Sequence, residues 1–210
     1  MSLWELSAGD LLDRAASGDP TPGGGSVAAI AGALGLGLVC MALEVSVRRA
    51  DAGPEIGVLL GRARTLLSAL RAHPDADVAA FESYMAALAL PKVDADRKAR
   101  RREAVQRATH AATAAPLAAA RDLLAGLELT DQAAKLAHRS IVSDVGAGAH
   151  LLSAALQATL LNVDINLESL PVEAREAAQV ERLDLARQGL MLSGQVMQAV
   201  SYQLRLKHVS

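Results

Sequence analysis

Apolar positions along this chain recur three and four residues apart far more often than they alternate, which is the period of a helix face rather than of a strand. The breaks between periodic segments fall at glycine and proline. Trp4 to Ala16 reads as a short amphipathic helix with Trp4, Leu6, Leu11, Leu12 and Ala15 on its packing side. Residues 17–25, Ser-Gly-Asp-Pro-Thr-Pro-Gly-Gly-Gly, are rich in breakers and form a loop. From Val27 to Leu43 every residue is apolar or glycine, and Ser26 stands where a cap for that helix belongs. The pattern carries this helix to about Arg49, with a break from Asp51 to Pro54. Another helix follows to about Ala72, with Leu59, Leu60, Leu66, Leu67 and Leu70 apolar.

His73-Pro74-Asp75 starts the next helix, since proline and an acidic residue suit a first turn. It ends near Leu90, before Pro91. Asp94 is the expected N-cap of a longer element, in which Pro116 should kink or restart the helix. Thr130 or Asp131 is expected to open a further helix. Gly146 and Gly148 are expected to interrupt or bend the one after it, and Pro171 precedes a last helix to the C-terminus.

The Val27–Leu43 run is close to the ~17-residue lower limit for crossing a bilayer. Small residues dominate it, and Ala29, Ala33, Gly37 and Met41 fall four apart, a smooth stripe against which another helix can lie closely. It is read as the buried central helix of a bundle, not as a membrane span. The acidic residues Glu5, Asp10, Asp13 and Asp19 ahead of it are wrong for a secretory leader.

Composition agrees. Half the chain is apolar but only 2% is aromatic, so Ala, Leu and Val must build the core, and the β-branched and aromatic residues that favour strands are scarce. At 210 residues the chain suits one domain, residues 1–210: an all-α helical bundle. A net charge of −2 gives no electrostatic ground for binding nucleic acid. Cys40 is the one cysteine, which points to a reduced, cytoplasmic setting and is better read as a small core residue than as a nucleophile. His73, His110, His138, His150 and His208 show no ligand spacing, so no metal site is expected.

Four features carry candidate chemistry. Gly23, Gly24 and Gly25 open a long helix, where bare backbone can approach a ligand and free N–H groups attract anionic or carbonyl groups. A flexible turn explains them equally well. Asp75, Asp77 and Glu82 lie near a helix start, where most carboxylates only cap or face water. Asp144 sits among Ile141, Val142 and Val145, a setting that suggests burial and therefore a partner or a function. Asn162 and Asn166, four apart, share a helix face that either lines a polar cavity or bridges to a neighbouring helix; Asp164 points elsewhere. The basic run from Arg97 to Arg107 reads as a solvated face, or as a surface that steers an acidic tail.

Taken in order, four segments resemble the cyclodeaminase/cyclohydrolase family of folate one-carbon metabolism. They are Pro20-Thr21-Pro22-Gly23-Gly24-Gly25-Ser26-Val27-Ala28-Ala29; Asp75-Ala76-Asp77-Val78-Ala79-Ala80-Phe81, leading to Leu90-Pro91-Lys92; Ser143-Asp144-Val145-Gly146; and Asn162-Val163-Asp164-Ile165-Asn166-Leu167. The resemblance extends over nearly the whole chain. It implies an all-helical homodimer with a reduced-folate cleft near the subunit interface and no metal or organic cofactor. It also implies deamination of a formimino group or hydrolysis of a methenyl bridge. By resemblance Asp77 takes the acid/base role and Asp144 is the second carboxylate. Gly23 to Ser26 contact the pterin or one-carbon region, and Lys92 holds the anionic glutamate end. Asn162 and Asn166 line the cleft, and Phe81, Arg48 and Arg49 belong to the substrate-binding set.

The chain departs from the family pattern after the central helix. There Glu44-Val45-Ser46-Val47-Arg48-Arg49-Ala50-Asp51 keeps positive charge but lacks a tyrosine, and Leu88-Ala89 stand where a tyrosine and a basic residue are common. A non-catalytic module that binds a folate or another acidic small molecule is the alternative these departures leave open.

Overall fold

The computed structural model describes residues 1–50 and 52–206, so Asp51 and His208 lie outside the described residues. Among the described residues there is no strand, and the elements form one helical bundle. A single 3-10 turn, Leu3–Glu5, is followed by α1 (Ala8–Ala15), α2 (Gly24–Val47), α3 (Pro54–Leu70) and α4 (His73–Ala89). Then come α5 (Ala95–Leu136), α6 (Val142–Leu167) and α7 (Val172–Leu206).

The 24-residue helix α2 packs against α3, α4, α5 and α6, and its residues Leu36, Val39, Ala42 and Leu43 are fully buried. By length and composition alone it would cross a membrane, yet most of its apolar window is covered by the other helices. α2 and α6 run antiparallel, because Gly32 meets Ala155 while Gly35 and Val39 meet Gly148. Their closest approach is backbone on backbone. A Cβ built on Gly148 would stand 2.6 Å from the Gly35 carbonyl oxygen, and one on Gly35 would stand 2.9 Å from that of Gly148. The line of closest approach is therefore Gly32–Gly35–Val39, rather than the Ala29–Ala33–Gly37–Met41 stripe. Of that stripe Ala29 and Ala33 are buried while Met41 is exposed.

Several expected boundaries move. Trp4–Ala16 is not one helix: Leu6 and Ser7 are extended, and the Ser7 hydroxyl accepts from the Asp10 N–H to start α1 afresh. Gly23 occupies the N-cap of α2, not Ser26, which lies inside the first turn with its side chain turned to α4. Asp94 does cap α5, accepting from the Arg97 N–H at 2.7 Å.

α5 runs unbroken for 42 residues through Pro116 and past Thr130 and Asp131. Pro116 has no N–H to return to the carbonyl of Ala112 four residues back, and the Asn166 amide of α6 donates to that carbonyl instead, at 2.9 Å. Thr130 returns its hydroxyl to the Gly126 carbonyl within the helix rather than capping a new one. Gly146 and Gly148 do not bend α6; they are contact points, Gly146 against Val200 and Met197 of α7 and Gly148 against α2.

The N-terminal segment is fastened to the α3–α4 corner. Asp75 accepts from the Ser2 hydroxyl at 2.6 Å and the Leu3 N–H at 2.8 Å, and the Trp4 indole N–H donates to the Arg71 carbonyl at 2.7 Å. This holds the first turn of α4, and with it the direction of Asp77.

A methyl group at the α2–α6 crossing has no flexible neighbour to push aside. Gly148→Ala should cost ~1–3 kcal/mol or more in urea unfolding. Gly61→Ala, on an exposed helix position with nothing within 4 Å, should gain ~0.5–1 kcal/mol. An equal response at the two sites would show that the helices do not meet backbone to backbone.

Candidate active site

The antiparallel packing sets the N-terminus of α2 beside the C-terminal turns of α6, and α4 closes a cleft of about 390 Å³ between them. Gly23, Gly24 and Gly25 form one wall. Asp77, Phe81 and Tyr84 of α4 form the second, and Asn162 and Asn166 of α6 the third. The size and the mixture of aromatic faces with a few polar groups suit a small organic ligand.

Asp77 is fitted closely against the glycine turn. The Ser26 hydroxyl, fully buried, donates to its Oδ2 at 2.7 Å. A Cβ on Gly25 would lie 2.3 Å from Oδ1 and 2.7 Å from Cγ of the same carboxyl group. Only glycine at 25 lets the carboxyl group sit there, whereas a Cβ at Gly24 would meet nothing within 4 Å. The carboxyl group thus lies at the amino end of a long helix, where backbone dipoles favour negative charge.

Of the paired asparagines only Asn166 bridges to a neighbouring helix, since Asn162 donates to the Ala158 carbonyl of its own. The Asn166 side-chain N–H₂ bridges to Ala112 of α5 and also donates to the Asn162 carbonyl at 2.8 Å, while both residues line the cleft. Asp164 does point elsewhere, in a two-pronged pair with Arg182 of α7 at 2.7 and 2.8 Å.

Other candidates lie apart. Asp144, only half-buried, stands in the first turn of α6, ~27 Å along the helix from Asn162, and does not line this cleft. Arg48 and Arg49 follow the far end of α2, ~36 Å from Gly24. The acidic departure Glu44 accounts for part of that region, since it pairs with both Arg48 and Arg64 on the surface. Lys92 is exposed in a separate basic hollow with Lys98, Arg101 and Arg102, where Arg101 also caps the end of α4 by donating to the Leu88 carbonyl. Cys40 is buried, and burial pushes its thiol pKa up, as expected of a packing residue. Among the described residues no three His, Cys, Asp or Glu side chains converge.

Tyr84 is the cleft residue that the sequence reading missed. Asp77, Phe81 and Tyr84 stand at i, i+4 and i+7, one face of α4, and that spacing was the available signal. Ser169, which also lines the cleft, carried none.

The Asn166–Ala112 bond exists because of Pro116, and the two residues should be coupled. Asn166→Leu should cost ~1 kcal/mol by leaving that carbonyl unmade. In a Pro116→Ala background, where residue 116 regains its N–H, the same change should cost less, a coupling of ~0.5–1 kcal/mol in a double-mutant cycle. Strictly additive costs would sever the proline from the asparagine.

Comparison with known proteins shows the family. Residues 7–184 match the family model described as formiminotransferase-cyclodeaminase. The methenyltetrahydrofolate cyclohydrolase of Methylorubrum extorquens is 32% identical over 176 residues, which cover 82% of this chain and 85% of that protein. The formimidoyltransferase-cyclodeaminase of Gallus gallus is 34% identical over 181 residues, 81% of this chain and 33% of that longer relative. A crystal structure of formiminotetrahydrofolate cyclodeaminase from Thermotoga maritima shares the fold at a TM-score of 0.84, with 23% identity over 95% of this chain and 98% of that one. The chain belongs to the formiminotransferase-cyclodeaminase family.

Proposed function

We propose that this protein acts on the one-carbon unit of a reduced folate, closing a formimino group into a methenyl bridge with loss of ammonia or opening that bridge with water. The observation that carries the reading is Asp77, fixed by Ser26 and fitted against Gly25 in a cleft with aromatic walls. Relatives of the same family named as cyclohydrolase and cyclodeaminase support it.

Phe81 and Tyr84 offer faces on which a pterin ring can lie, and the Asn162 and Asn166 amides offer groups for its polar edge. In the hydrolytic direction, water adds to the cationic methenyl carbon and Asp77 takes its proton. The carbinol hydroxyl then gives up its proton as the carbonyl forms, the leaving ring nitrogen takes one up as its bond to carbon opens, and one net proton is released. In the deaminating direction, the aryl nitrogen adds to the formimino carbon, and its proton travels through Asp77 to the departing ammonia. The negative carboxyl group stabilises the positive charge that grows on the carbon as ammonia departs; in the hydrolytic direction its contribution is as the base for water. These steps draw on side chains alone, with no metal or organic cofactor. Lys92 and the neighbouring basic residues are assigned to the glutamate end of the substrate.

The active assembly in this reading is a homodimer. Val27, Leu34 and Met41 lie seven apart on α2 and are exposed, Leu34 at 58%. A second copy covering this stripe would place the glycine end of α2 close to the subunit interface.

Purified protein should change the near-ultraviolet absorbance of methenyltetrahydrofolate, or generate that signal from formiminotetrahydrofolate. Asp77→Asn should lower turnover at least ~10²-fold while far-ultraviolet circular dichroism is unchanged. Unchanged turnover would remove Asp77 from the mechanism, and silence with both folates would remove the substrate assignment. Leu34→Glu should halve the mass seen by light scattering; a wild-type monomer would end the dimer reading.

A further inference from the structure

Asp77 borders a second space besides the cleft. With Gly25 it walls a small chamber completed by Ala29 of α2, Pro116 of α5, Thr159 of α6 and His73 of α4, with about 10 Å³ of room, enough for one water. Its polar side chains are Asp77, His73 and Thr159.

Thr159 is 2% exposed and its hydroxyl has no hydrogen-bond partner in the protein. Three other buried hydroxyls of long helices return to the carbonyl four residues back, Ser46 to Ala42, Thr113 to Thr109 and Thr130 to Gly126, and that of Ser26 donates to Asp77. Thr159 does neither, although a buried hydroxyl left unpaired is costly. His73 lies four residues before Asp77 on the same face of α4, and its Nε2 is 2.7 Å from Asp122 Oδ2 on α5. That carboxylate favours a proton on Nε2 and leaves Nδ1 to accept.

We propose that one water occupies this chamber, held by Thr159 and Asp77, and carries the proton that Asp77 collects in the cleft to His73. The inference rests on the reading of Asp77 as the acid/base group. Protonated Asp77 gives its proton to the water, which gives one of its own to His73 Nδ1. Asp77 returns to carboxylate, and the imidazolium is held by the Asp122 carboxylate until it releases the proton to solvent through its partly exposed edge. Methenyl hydrolysis releases one net proton, so such an outlet has work to do in that direction. His73, Thr159 and Asp122 are positioning and relay residues that do not touch the substrate.

Two measurements test it on the full-length protein. His73→Gln keeps an amide N–H near the place of Nε2 but cannot carry a proton. In dilute buffer it should lower kcat for methenyltetrahydrofolate hydrolysis ~10–10²-fold with KM unchanged, and added imidazole should restore the rate. Thr159→Val should give a smaller loss with the same buffer response. An unchanged kcat, or a loss that imidazole does not restore, overturns the relay.

The second readout needs no turnover. The charged groups facing His73 are Asp122 from α5 and Asp77 from its own helix; Gly25 and Ala29 of α2 and Thr159 of α6 do not titrate, and Arg71 lies over the Trp4 ring. Removing the Asp77 charge should therefore lower the His73 midpoint in an NMR titration of Asp77→Asn. A midpoint that does not move overturns the relay. A midpoint that moves, in a protein inactive with both folates, keeps the relay and discards the substrate.

Discussion

The contact on which the rest depends is the meeting of two backbones at Gly35 and Gly148. Helices that bear side chains at their crossing stand 8–10 Å apart. Here each glycine faces the carbonyl oxygen of the other, and no Cβ fits between them. The crossing fixes both the separation and the register of α2 and α6. That register puts the amino end of one beside the carboxyl end of the other. The cleft is a consequence: three glycines and two asparagines, 137 or more residues apart in sequence, become facing walls.

Close packing of small residues then recurs at the site itself. Asp77 reaches its place because position 25 has no side chain, much as α6 reaches its place because positions 35 and 148 have none. The Ala- and Gly-rich composition therefore does two things: it lets helices approach, and it lets a carboxyl group lie against helix backbone. Of the four aromatic residues in the chain, Phe81 and Tyr84 stand in the cleft wall.

Much of this was legible in the sequence, and the failures share a cause. Helix content and the single bundle follow from local patterns, whereas the grouping of Gly23–Gly25, Asp77, Phe81, Asn162 and Asn166 came from the family resemblance alone. What local pattern misjudged was continuity. Pro116, Gly146 and Gly148 are helix breakers by propensity, yet each sits inside an unbroken helix because a partner elsewhere in the fold supplies what it lacks or needs the space it leaves. Ser26 was misjudged likewise: as an N-cap it would serve its own helix, whereas its hydroxyl serves α4. Asp144 was singled out for its apolar neighbours along the chain, but α6 turns those neighbours inward and leaves the carboxylate half-exposed. Distance in the bundle cannot be read from motifs in order, which is why Asp144, Arg48 and Arg49 come to rest far from Asp77.

Pro116 shows how a local defect becomes part of the site. Its missing N–H leaves the Ala112 carbonyl available, and that carbonyl borders the cleft. Asn166 takes it up with its amide N–H₂, which also donates to Asn162, so the donor side of the group is spent within the protein. What Asn166 can still offer a ligand is its side-chain oxygen, an acceptor. A glutamine- or serine-like donor would present the opposite polarity to the same space. The proline in α5 thus fixes the orientation of an α6 side chain, and through it the polarity of one wall of the cleft. A residue that propensity alone would count against the helix contributes instead to what that cleft can recognise.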